Sequence, residues 1–315
     1  TRFDEEFKKI KIKDDFFRQY DEFIDEKYND YTGKGISKST KTRYEYNKNL
    51  LEEFQNYEKI KITLGNFNEK VYNKFLKYCV EIKDHSANTI HRDVGLLKTF
   101  LYWALNKKYT YNNHFINFKK PPKFRTDEIA LNMEQVEAIY NHDFSKNKKL
   151  EKVRDLFIFG CTTGMRFGNY NRISKDDIQN DFIRVIDLKS KSKNLSIPLN
   201  SISKAILEKY EYNLPSLSNQ KMNKYIKEVF KELEFDEEIK KTMKYGDELI
   251  EKKSEFWERI SSHTARRSFI TIMKNNKVPD KIIMSYTGHT SLEVFNAYYR
   301  PSEEDKVNYM NEVFK

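Results

Sequence analysis

The first 118 residues carry apolar side chains at the three- and four-residue spacing of amphipathic helices. The first such stretch runs from Phe7 to Ile24, and Tyr31–Gly35 interrupts it with turn-forming residues. Further helices are expected after Ser39, after Asn66 and after Ser86, where short polar side chains can cap a helix start. The pattern therefore predicts a nearly all-helical domain over residues 1–118.

The second half of the chain mixes helical and strand-like patterns. Residues 181–188 alternate apolar and polar side chains, and residues 194–199 resemble the partner strand of a β-hairpin. Residues 235–258 are charged and poorly patterned, so no element is assigned there. We expect a mainly α fold with a small antiparallel β-sheet in a second domain, residues 127–315. Its predicted helices lie near residues 136–139, 153–159, 202–210, 222–233, 263–274 and 281–286.

A proline-containing segment separates the two halves. Pro121 and Pro122 stand among lysines without helix-forming neighbours, which is typical of an extended linker. We therefore predict a linker over residues 119–126, with a loop inside a single domain as the alternative.

The charge balance favours a polyanionic partner. The chain has 58 Lys and Arg against 48 Asp and Glu, a net charge of +10, and bases that neutralise phosphates release counterions. No segment approaches the roughly 18–20 apolar residues of a membrane span, so no membrane partner is expected. Cys79 and Cys161 are too few for a four-cysteine zinc site and favour a reducing, cytoplasmic location. The chain begins without Met and without a signal-peptide pattern, which suggests a fragment of a longer protein.

Two motifs of the second half combine residues that can bind phosphate. In Thr163–Arg166, a glycine permits a sharp turn from which Arg166 projects. His263 and Arg266 stand three residues apart and share a helix face, where a guanidinium fork and an imidazole can bind one phosphate. Each motif alone also fits a plain surface arginine or a solvated helix start.

Two further motifs follow towards the C-terminus. Gly288–Ser291 contains His289, and Ala297–Arg300 contains Tyr298. In isolation the first fits a helix C-cap, and the second fits an aromatic residue packed on the core, since the chain has 21 tyrosines.

The order of the four motifs resembles the tyrosine recombinase (phage integrase) family. The segments HTARRSF and TGH are most similar to integrases of Bacteroides-type mobile elements. The resemblance implies a site-specific DNA recombinase that integrates or excises a mobile element through a 3′-phosphotyrosine intermediate. It implies that the catalytic residues are Arg166, His263, Arg266, His289 and Tyr298. Tyr298 is chosen as nucleophile over Tyr299 because it stands nine residues after His289, as in the family.

Two positions depart from the family pattern. The catalytic lysine of the family lies on a hairpin turn, eight residues before a proline, where this chain has Ser190. We therefore predict Lys191, with Lys189 and Lys193 as alternatives. The family has Glu or Asp three residues after its first catalytic arginine, whereas this chain has Asn169, which can accept a hydrogen bond but cannot neutralise Arg166.

The predicted residues fit metal-independent phosphoryl transfer. Two arginine forks and a histidine can stabilise the extra negative charge of a pentavalent transition state. A tyrosine has a reference pKa of about 10, so Tyr298 needs a base, for which His263 is the candidate. A hairpin lysine can give the leaving 5′-oxygen its proton. The sequence has no carboxylate cluster for two metal ions, and no cofactor is expected.

The resemblance extends to partners. It implies a C-shaped, two-domain clamp on double-stranded DNA, with a helical core-binding (SAM-like) domain in residues 1–118. The candidate DNA contacts of that domain are Lys38, Lys41, Arg43, His91, Arg92 and Lys98. An apolar stripe in the C-terminal tail predicts docking on a neighbouring protomer of a homo-tetramer that handles a Holliday junction, with packing on its own domain as the alternative. Accessory DNA-bending or excision factors and an N-terminal arm-binding domain outside this chain are further expectations, as is nucleoid association.

Two other functions fit the same residues. A type IB topoisomerase-like enzyme that nicks and closes DNA shares this set of catalytic side chains. A helical DNA-binding regulator could keep the fold without the chemistry, although the complete motif set argues against that.

Overall fold

A computed structural model describes residues 15–188, 194–299 and 303–314 of the chain. Over these ranges the chain is mainly helical with a small antiparallel sheet, as predicted, and it has a second, two-stranded sheet that was not predicted. Its contacts divide it into two compact units. The first unit takes in the described residues up to Thr126 together with Thr242–Lys252, and the second takes in Asp127–Lys241 and the described residues from Lys253 onwards. No helix in the described part of the chain is long and apolar enough to cross a membrane.

The first unit is built from helices with polar side chains at their starts. Its helices are α1 (Phe16–Tyr28), α2 (Lys38–Glu58), α3 (Glu69–Glu81) and α4 (Ala87–Asn106). Ser37, Asn68 and Ser86 each accept a hydrogen bond from the backbone N–H three residues later, which satisfies a donor that the helix leaves unpaired. The cap of α2 is thus Ser37 rather than the predicted Ser39.

Aromatic side chains fill the core of the first unit. Tyr20 of α1 packs on Phe100 of α4 with ring centroids 4.2 Å apart. The buried Tyr20 hydroxyl donates to Asn47 Oδ1 at 2.8 Å, and Asn47 Nδ2 donates to the Asp93 carbonyl at 3.1 Å. One buried asparagine of α2 therefore ties α1 to α4 while satisfying its own polar atoms.

Part of the predicted linker lies against the helices of the first unit. Residues 118–132 have no helix or strand, but part of this segment is hydrogen-bonded to α3 and α4. The Tyr72 hydroxyl donates to the Lys119 carbonyl, His91 Nδ1 lies 2.7 Å from the Pro121 carbonyl, and the Asn88 amide pairs with the backbone of Phe124. The linker up to Phe124 is therefore held against helices of the first unit, and the division between the units falls after Thr126.

A buried helix organises the second unit. Helix α6 (Lys148–Thr163) has most of its side chains buried. Four helices pack around it: α5 (Met133–Asn141), α8 (Ser201–Lys209), α9 (Asn219–Glu232) and α11 (Ser262–Asn275). The remaining helices of the described residues are α7 (Phe167–Tyr170), α10 (Phe256–Arg259), α12 (Asp280–Thr287), α13 (Leu292–Asn296) and α14 (Glu303–Val313).

The predicted hairpin forms two strands of a three-stranded antiparallel sheet. Its strands are β1 (Ile178–Gln179), β2 (Phe182–Ile186) and β3 (Asn194–Pro198), in that order. Ile183 pairs with Ile197, and both are buried. The alternation of apolar and polar side chains along these strands therefore indicates which face of the sheet covers the core.

A second hairpin lies where the sequence indicated no element. Strands β4 (Glu238–Tyr245) and β5 (Glu248–Glu255) are joined by Gly246 and Asp247 and pair only with each other in the described structure. Neither strand has a buried face. The hairpin therefore leaves no period-two pattern of apolar residues in the sequence.

Candidate active site

Arg166 is positioned by the turn that ends α6. Gly164 adopts a left-handed conformation with φ of 66°, and a Cβ atom there would lie 2.3 Å from the ring of Phe269. Only glycine fits this close approach without displacing the ring. The chain then becomes extended at Arg166, whose Nη1 donates to Asp187 Oδ1 at 2.9 Å.

Asp187 supplies the carboxylate that the sequence lacks at position 169. The side chain of Asn169 is buried, and its Nδ2 donates to the same Asp187 Oδ1 at 2.9 Å. Asn169 Oδ1 accepts a hydrogen bond from the backbone N–H of Leu188 at 3.1 Å. The expectation that Asn169 cannot neutralise Arg166 stands, but the neutralising charge comes from Asp187, which the sequence analysis missed.

A signal for Asp187 was present in the strand pattern. Ile183, Val185 and Asp187 are two residues apart, so they lie on one side of the strand and its extension. Ile183 and Asp187 are buried and Val185 is half-buried. A charged residue on the buried side of a strand needs a partner, and this requirement could have indicated the residue.

Helix α11 carries His263 and Arg266, and α9 fixes its first turn. Asn223 Oδ1 accepts from the backbone N–H of Ser262 at 2.8 Å, and Asn219 Oδ1 accepts from its hydroxyl at 2.9 Å. These bonds anchor the helix one residue before the half-buried His263. The amide side chains of α9 thus determine where the histidine stands.

Arg266 is buried at the centre of the site, with 1% of its surface exposed. Its Nη1 donates to the Gly164 carbonyl at 3.0 Å, and its Nη2 lies 3.1 and 3.2 Å from the ring nitrogens of His289. Burial lowers the pKa of Arg266 to about 10, and the positive charge of Arg166 acts in the same direction. Tyr298 and Asp187 oppose this shift.

His289 follows the left-handed Gly288 that ends α12. The Thr287 hydroxyl donates its hydrogen to the Ile283 carbonyl at 2.8 Å and lies 2.9 Å from His289 Nδ1. Because a hydroxyl has one hydrogen to give, Nδ1 must donate to Thr287. In the neutral ring, the proton is therefore on Nδ1.

Tyr298 meets these residues, whereas the ring of Tyr299 lies against a lysine. The ring centroid of Tyr298 lies 5.2 Å from that of His263 and 4.8 Å from that of His289. The guanidinium carbon of Arg266 lies 5.7 Å from the Tyr298 ring centroid. The Tyr299 ring lies 4.9 Å from Lys274 Nζ. The structure therefore brings Tyr298 together with three of the predicted catalytic residues.

Arg166 belongs to the same cluster. A Cβ atom at Gly288 would lie 3.7 Å from Arg166 Nη1, so Arg166 lies beside the residue that precedes His289. Arg166 also influences the charge of Arg266, as its effect on that pKa indicates. Lys191 and its alternatives Lys189 and Lys193 lie outside the described residues, so the choice among them stays a prediction. No group of three His, Cys, Asp or Glu able to hold a metal ion occurs in the described ranges.

The six predicted DNA contacts fall into two groups. Lys38 and Arg43 are exposed on α2 and form no ion pair within the described chain. The other four have partners in the first unit. Lys41 Nζ lies 3.6 Å from Asp25 Oδ1, Arg92 Nε donates to Asp93 at 3.0 Å, His91 lies against the Pro121 carbonyl, and Lys98 donates to the carbonyls of Ile116 and Phe118.

Comparison with known sequences gives matches over both halves of the chain. The phage integrase family matches residues 130–305, and the phage integrase SAM-like domain matches residues 15–120. Tyrosine recombinase XerC of Rickettsia bellii is 26% identical over 231 residues, covering 69% of this chain and 70% of the relative. Tyrosine recombinase XerD of Chlamydia trachomatis is 25% identical over 244 residues, covering 74% and 77%.

Solved structures show the same fold. The Tn1549 transposon integrase in complex with a circular intermediate DNA has a TM-score of 0.69 at 16% identity, over 94% of this chain and 98% of that one. A lambda integrase tetramer bound to a Holliday junction has a TM-score of 0.66 at 14% identity, over 90% and 77%.

Proposed function

The chain belongs to the phage integrase family of tyrosine recombinases, and from this premise we propose that it cleaves and rejoins DNA through a covalent bond between Tyr298 and a 3′ phosphate. It is a site-specific recombinase and acts on DNA. The observation that carries the assignment of the nucleophile is the position of the Tyr298 ring, which contacts His263, His289 and Arg266 together.

Each side chain has a distinct part in the proposed reaction. The Tyr298 oxygen attacks the phosphorus atom and gives its proton to His263. Arg166 and Arg266 stabilise the negative charge of the pentavalent transition state, and His289 does so in its doubly protonated form, in which Nδ1 donates to Thr287 and Nε2 donates to the phosphate. The 5′-oxygen leaves with a proton from a lysine of residues 189–193, for which Lys191 is our choice. Reversal of these steps with a new 5′-hydroxyl rejoins the strand, since the phosphotyrosine conserves the bond energy.

The proposed assembly uses the exposed side of α14. Tyr309 and Glu312 contact α11 and the turn that follows it, where the Tyr309 hydroxyl donates to the Asn275 carbonyl and Lys277 pairs with Glu312. The apolar stripe faces away from these contacts, and its described members are exposed: Val307, Met310, Val313 and Phe314. The exposure of these side chains supports docking on another copy of the chain over packing on its own domain.

We infer that the apolar stripe docks on a second copy of the chain in a DNA-bound tetramer that passes through a Holliday junction. The reaction takes place on DNA in the bacterial cytoplasm, in association with the nucleoid and with the help of DNA-bending or excision factors. The first unit acts as the core-binding domain of a clamp, with residues 119–126 joining it to the catalytic domain.

A covalent-capture experiment tests the proposed nucleophile. Nicked duplexes of randomised sequence, which cannot be religated once cut, are incubated with the protein and recovered as denaturant-resistant adducts. We expect the wild type and Tyr299→Phe to enrich a common sequence and Tyr298→Phe to yield no adduct. Mass spectrometry of the digested adduct should find the nucleotide on Tyr298.

The same substrate separates the possible outcomes. Absence of any adduct with the wild type after repeated selection would overturn covalent cleavage. Adducts on Tyr299 would overturn the assignment of the nucleophile but not the reaction. Relaxation of supercoiled plasmid without strand exchange between two selected sites would assign the chain to nicking and closing instead.

A further inference from the structure

Asp187 and Asn169 form a buried hydrogen-bonded pair beneath Arg166. On the basis of the proposed function, we propose that Asp187 is a positioning residue for Arg166 during strand cleavage. We propose further that Asn169 links this carboxylate to the backbone of Leu188. Neither residue touches the reacting phosphate in this proposal, since Asp187 acts through Arg166 and Asn169 acts through Asp187.

The hydrogen bonds give Arg166 a defined orientation. Asp187 Oδ1 receives both Arg166 Nη1 and Asn169 Nδ2, each at 2.9 Å. Asp187 is 1% exposed, whereas the side chain of Arg166 keeps 22% of its surface accessible. A guanidinium has five N–H donors, so a single bond to a buried carboxylate directs the group and leaves donors for a phosphate.

Charge gives a second reason for a carboxylate at this place. Arg166 and Arg266 lie close enough for the charge of one to disfavour the charge of the other, and the negative charge of Asp187 acts in the opposite direction on Arg266. Asp187 therefore offsets the repulsion between two guanidinium groups before any phosphate is bound. A neutral side chain of the same shape would keep the packing and lose this effect.

The chemistry of Asn169 explains why an amide stands where the family has an acid. Its Nδ2 must donate to Asp187, and its Oδ1 must accept from the Leu188 N–H at 3.1 Å. An amide has both a donor and an acceptor, whereas an ionised carboxylate only accepts. With the acid at position 187, the pair needs an amide at position 169, and this amide also holds the backbone of Leu188.

Exchange of the two side chains tests the pair. In Asn169→Asp/Asp187→Asn, the new amide at 187 can donate to the new carboxylate, which can still accept from Leu188, and the amide oxygen can still accept from Arg166. The matched control is Asp181→Asn, which removes an exposed carboxylate that pairs with Lys204 at 2.8 Å at the opposite end of β2. The substrate is the nicked duplex selected by the wild type, and the readouts are the first-order rate of adduct formation at saturating DNA, the Kd for the duplex and the melting temperature.

We expect Asp187→Asn to slow adduct formation about 10²-fold, as a displaced catalytic group does, with a Kd within about threefold of the wild type because the pair is buried away from DNA. The exchanged pair should recover most of this loss, to within about tenfold of the wild type. Asp181→Asn should leave the rate unchanged.

Each outcome decides the proposal. An Asp187→Asn rate equal to that of the control, or an exchanged pair as slow as Asp187→Asn, overturns it while leaving the proposed function intact. If Asp187→Asn does not fold, the exchanged pair alone decides by its rate. If neither folds while the control does, the pair is a structural element only and the proposal is wrong. Failure of the wild type to form adducts would instead overturn the proposed function.

Discussion

At the scale of single residues, the site depends on buried polar groups that have few hydrogen-bond partners. Arg266 is almost fully buried, and its Nε has no hydrogen-bond partner within the described residues. An unpaired buried donor costs free energy, and a phosphate oxygen could supply the missing partner. The free enzyme therefore holds a site whose charge and donors are better satisfied with DNA bound than without it.

A substitution at Thr287 tests whether its hydroxyl orients the buried ring of His289. Thr287→Val keeps the shape of the side chain but removes the hydroxyl that accepts from His289 Nδ1. We expect unfolding free energy to fall by about 1–3 kcal/mol, because a buried donor is left unpaired, and adduct formation to slow as the ring loses its orientation. Urea denaturation and the covalent-capture rate measure the two effects. A variant with wild-type stability and rate would show that this hydroxyl does not orient the ring.

The proposed nucleophile and its neighbours show what residue spacing can predict. Tyr298 was chosen over Tyr299 by its distance from His289 alone, and the contacts of the two rings agree with that choice. Asp187 was missed because the family pattern places an acid at a fixed distance from Arg166. A hydrogen bond across 21 positions depends on how β2 and the turn after α6 meet, which spacing along the chain does not contain.

At the scale of elements, two helix ends determine where the arginines stand. The left-handed Gly164 ends α6, turns the chain towards Arg166 and gives its carbonyl to Arg266. The left-handed Gly288 ends α12 beside β3, and a Cβ atom there would lie 3.1 Å from Leu195 Cδ2. In the proposed site, Arg166 and His289 therefore follow turns in which a glycine is left-handed, whereas His263 and Arg266 lie in the first part of α11.

Gly164→Ala tests the first of these turns. The left-handed conformation alone costs a residue with Cβ about 1–2 kcal/mol, and the collision with Phe269 adds to this. We expect a lower urea midpoint and a slower cleavage rate, because displacement of the ring shifts the start of the arginine turn. The matched control is Gly95→Ala in α4, where a Cβ meets nothing within 4 Å. It should stabilise the protein by about 0.5–1 kcal/mol. Equal effects of the two variants would contradict this account.

Elements with a buried face were predictable, and elements without one were not. Strands β2 and β3 were recognised because one face covers the core, whereas β4 and β5 have no buried face and follow no alternation. The Gly246–Asp247 turn was the available local signal, since Gly and Asp favour tight hairpin turns. Helix boundaries were predicted to within a few residues where a capping side chain was present, as at Asn68 and Ser86.

At the scale of the whole molecule, the net charge is +10, but the basic side chains are not all equally available to bind DNA. Lys98 and His91 hold residues 116–121 in place through backbone carbonyls, so they contribute to the structure of the first unit. Lys38 and Arg43 are exposed on α2. Composition predicts the class of partner, but only the contacts show which basic side chains form hydrogen bonds within the folded chain.

Salt dependence of DNA binding distinguishes these groups. We expect Lys38→Ala and Arg43→Ala each to weaken binding and to lower the slope of log K against log salt by about 0.9 for each phosphate that is no longer neutralised. Lys98→Ala should lower the melting temperature, because it removes two hydrogen bonds to carbonyls, and leave the slope unchanged. Fluorescence anisotropy across a salt series gives the slopes. A drop in slope for Lys98→Ala as large as for Lys38→Ala would contradict the assignment.

The tail predicts a separation between cleavage and assembly. Val307→Ser/Met310→Ser removes exposed apolar surface from α14, so we expect the stability of the monomer to change by no more than about 0.5 kcal/mol. Adduct formation at one site should persist, whereas complexes of four protomers on two sites, and strand exchange between them, should be lost. Analytical ultracentrifugation with DNA measures the assembly. Tetramers formed as readily by the variant as by the wild type would exclude the tail as the contact.

The paired positions 169 and 187 also limit how this sequence can diverge. Mutation of Asn169 to an acid places two carboxylates together, and mutation of Asp187 to an amide leaves none, so either step alone lowers fitness if the pair orients Arg166. The effect of a substitution at position 169 therefore depends on the residue at position 187, and a change at one position requires a compensating change at the other. Relatives with an amide three residues after the arginine should retain an acid at the end of the strand, and an alignment that scores each column independently would register both positions as degenerate.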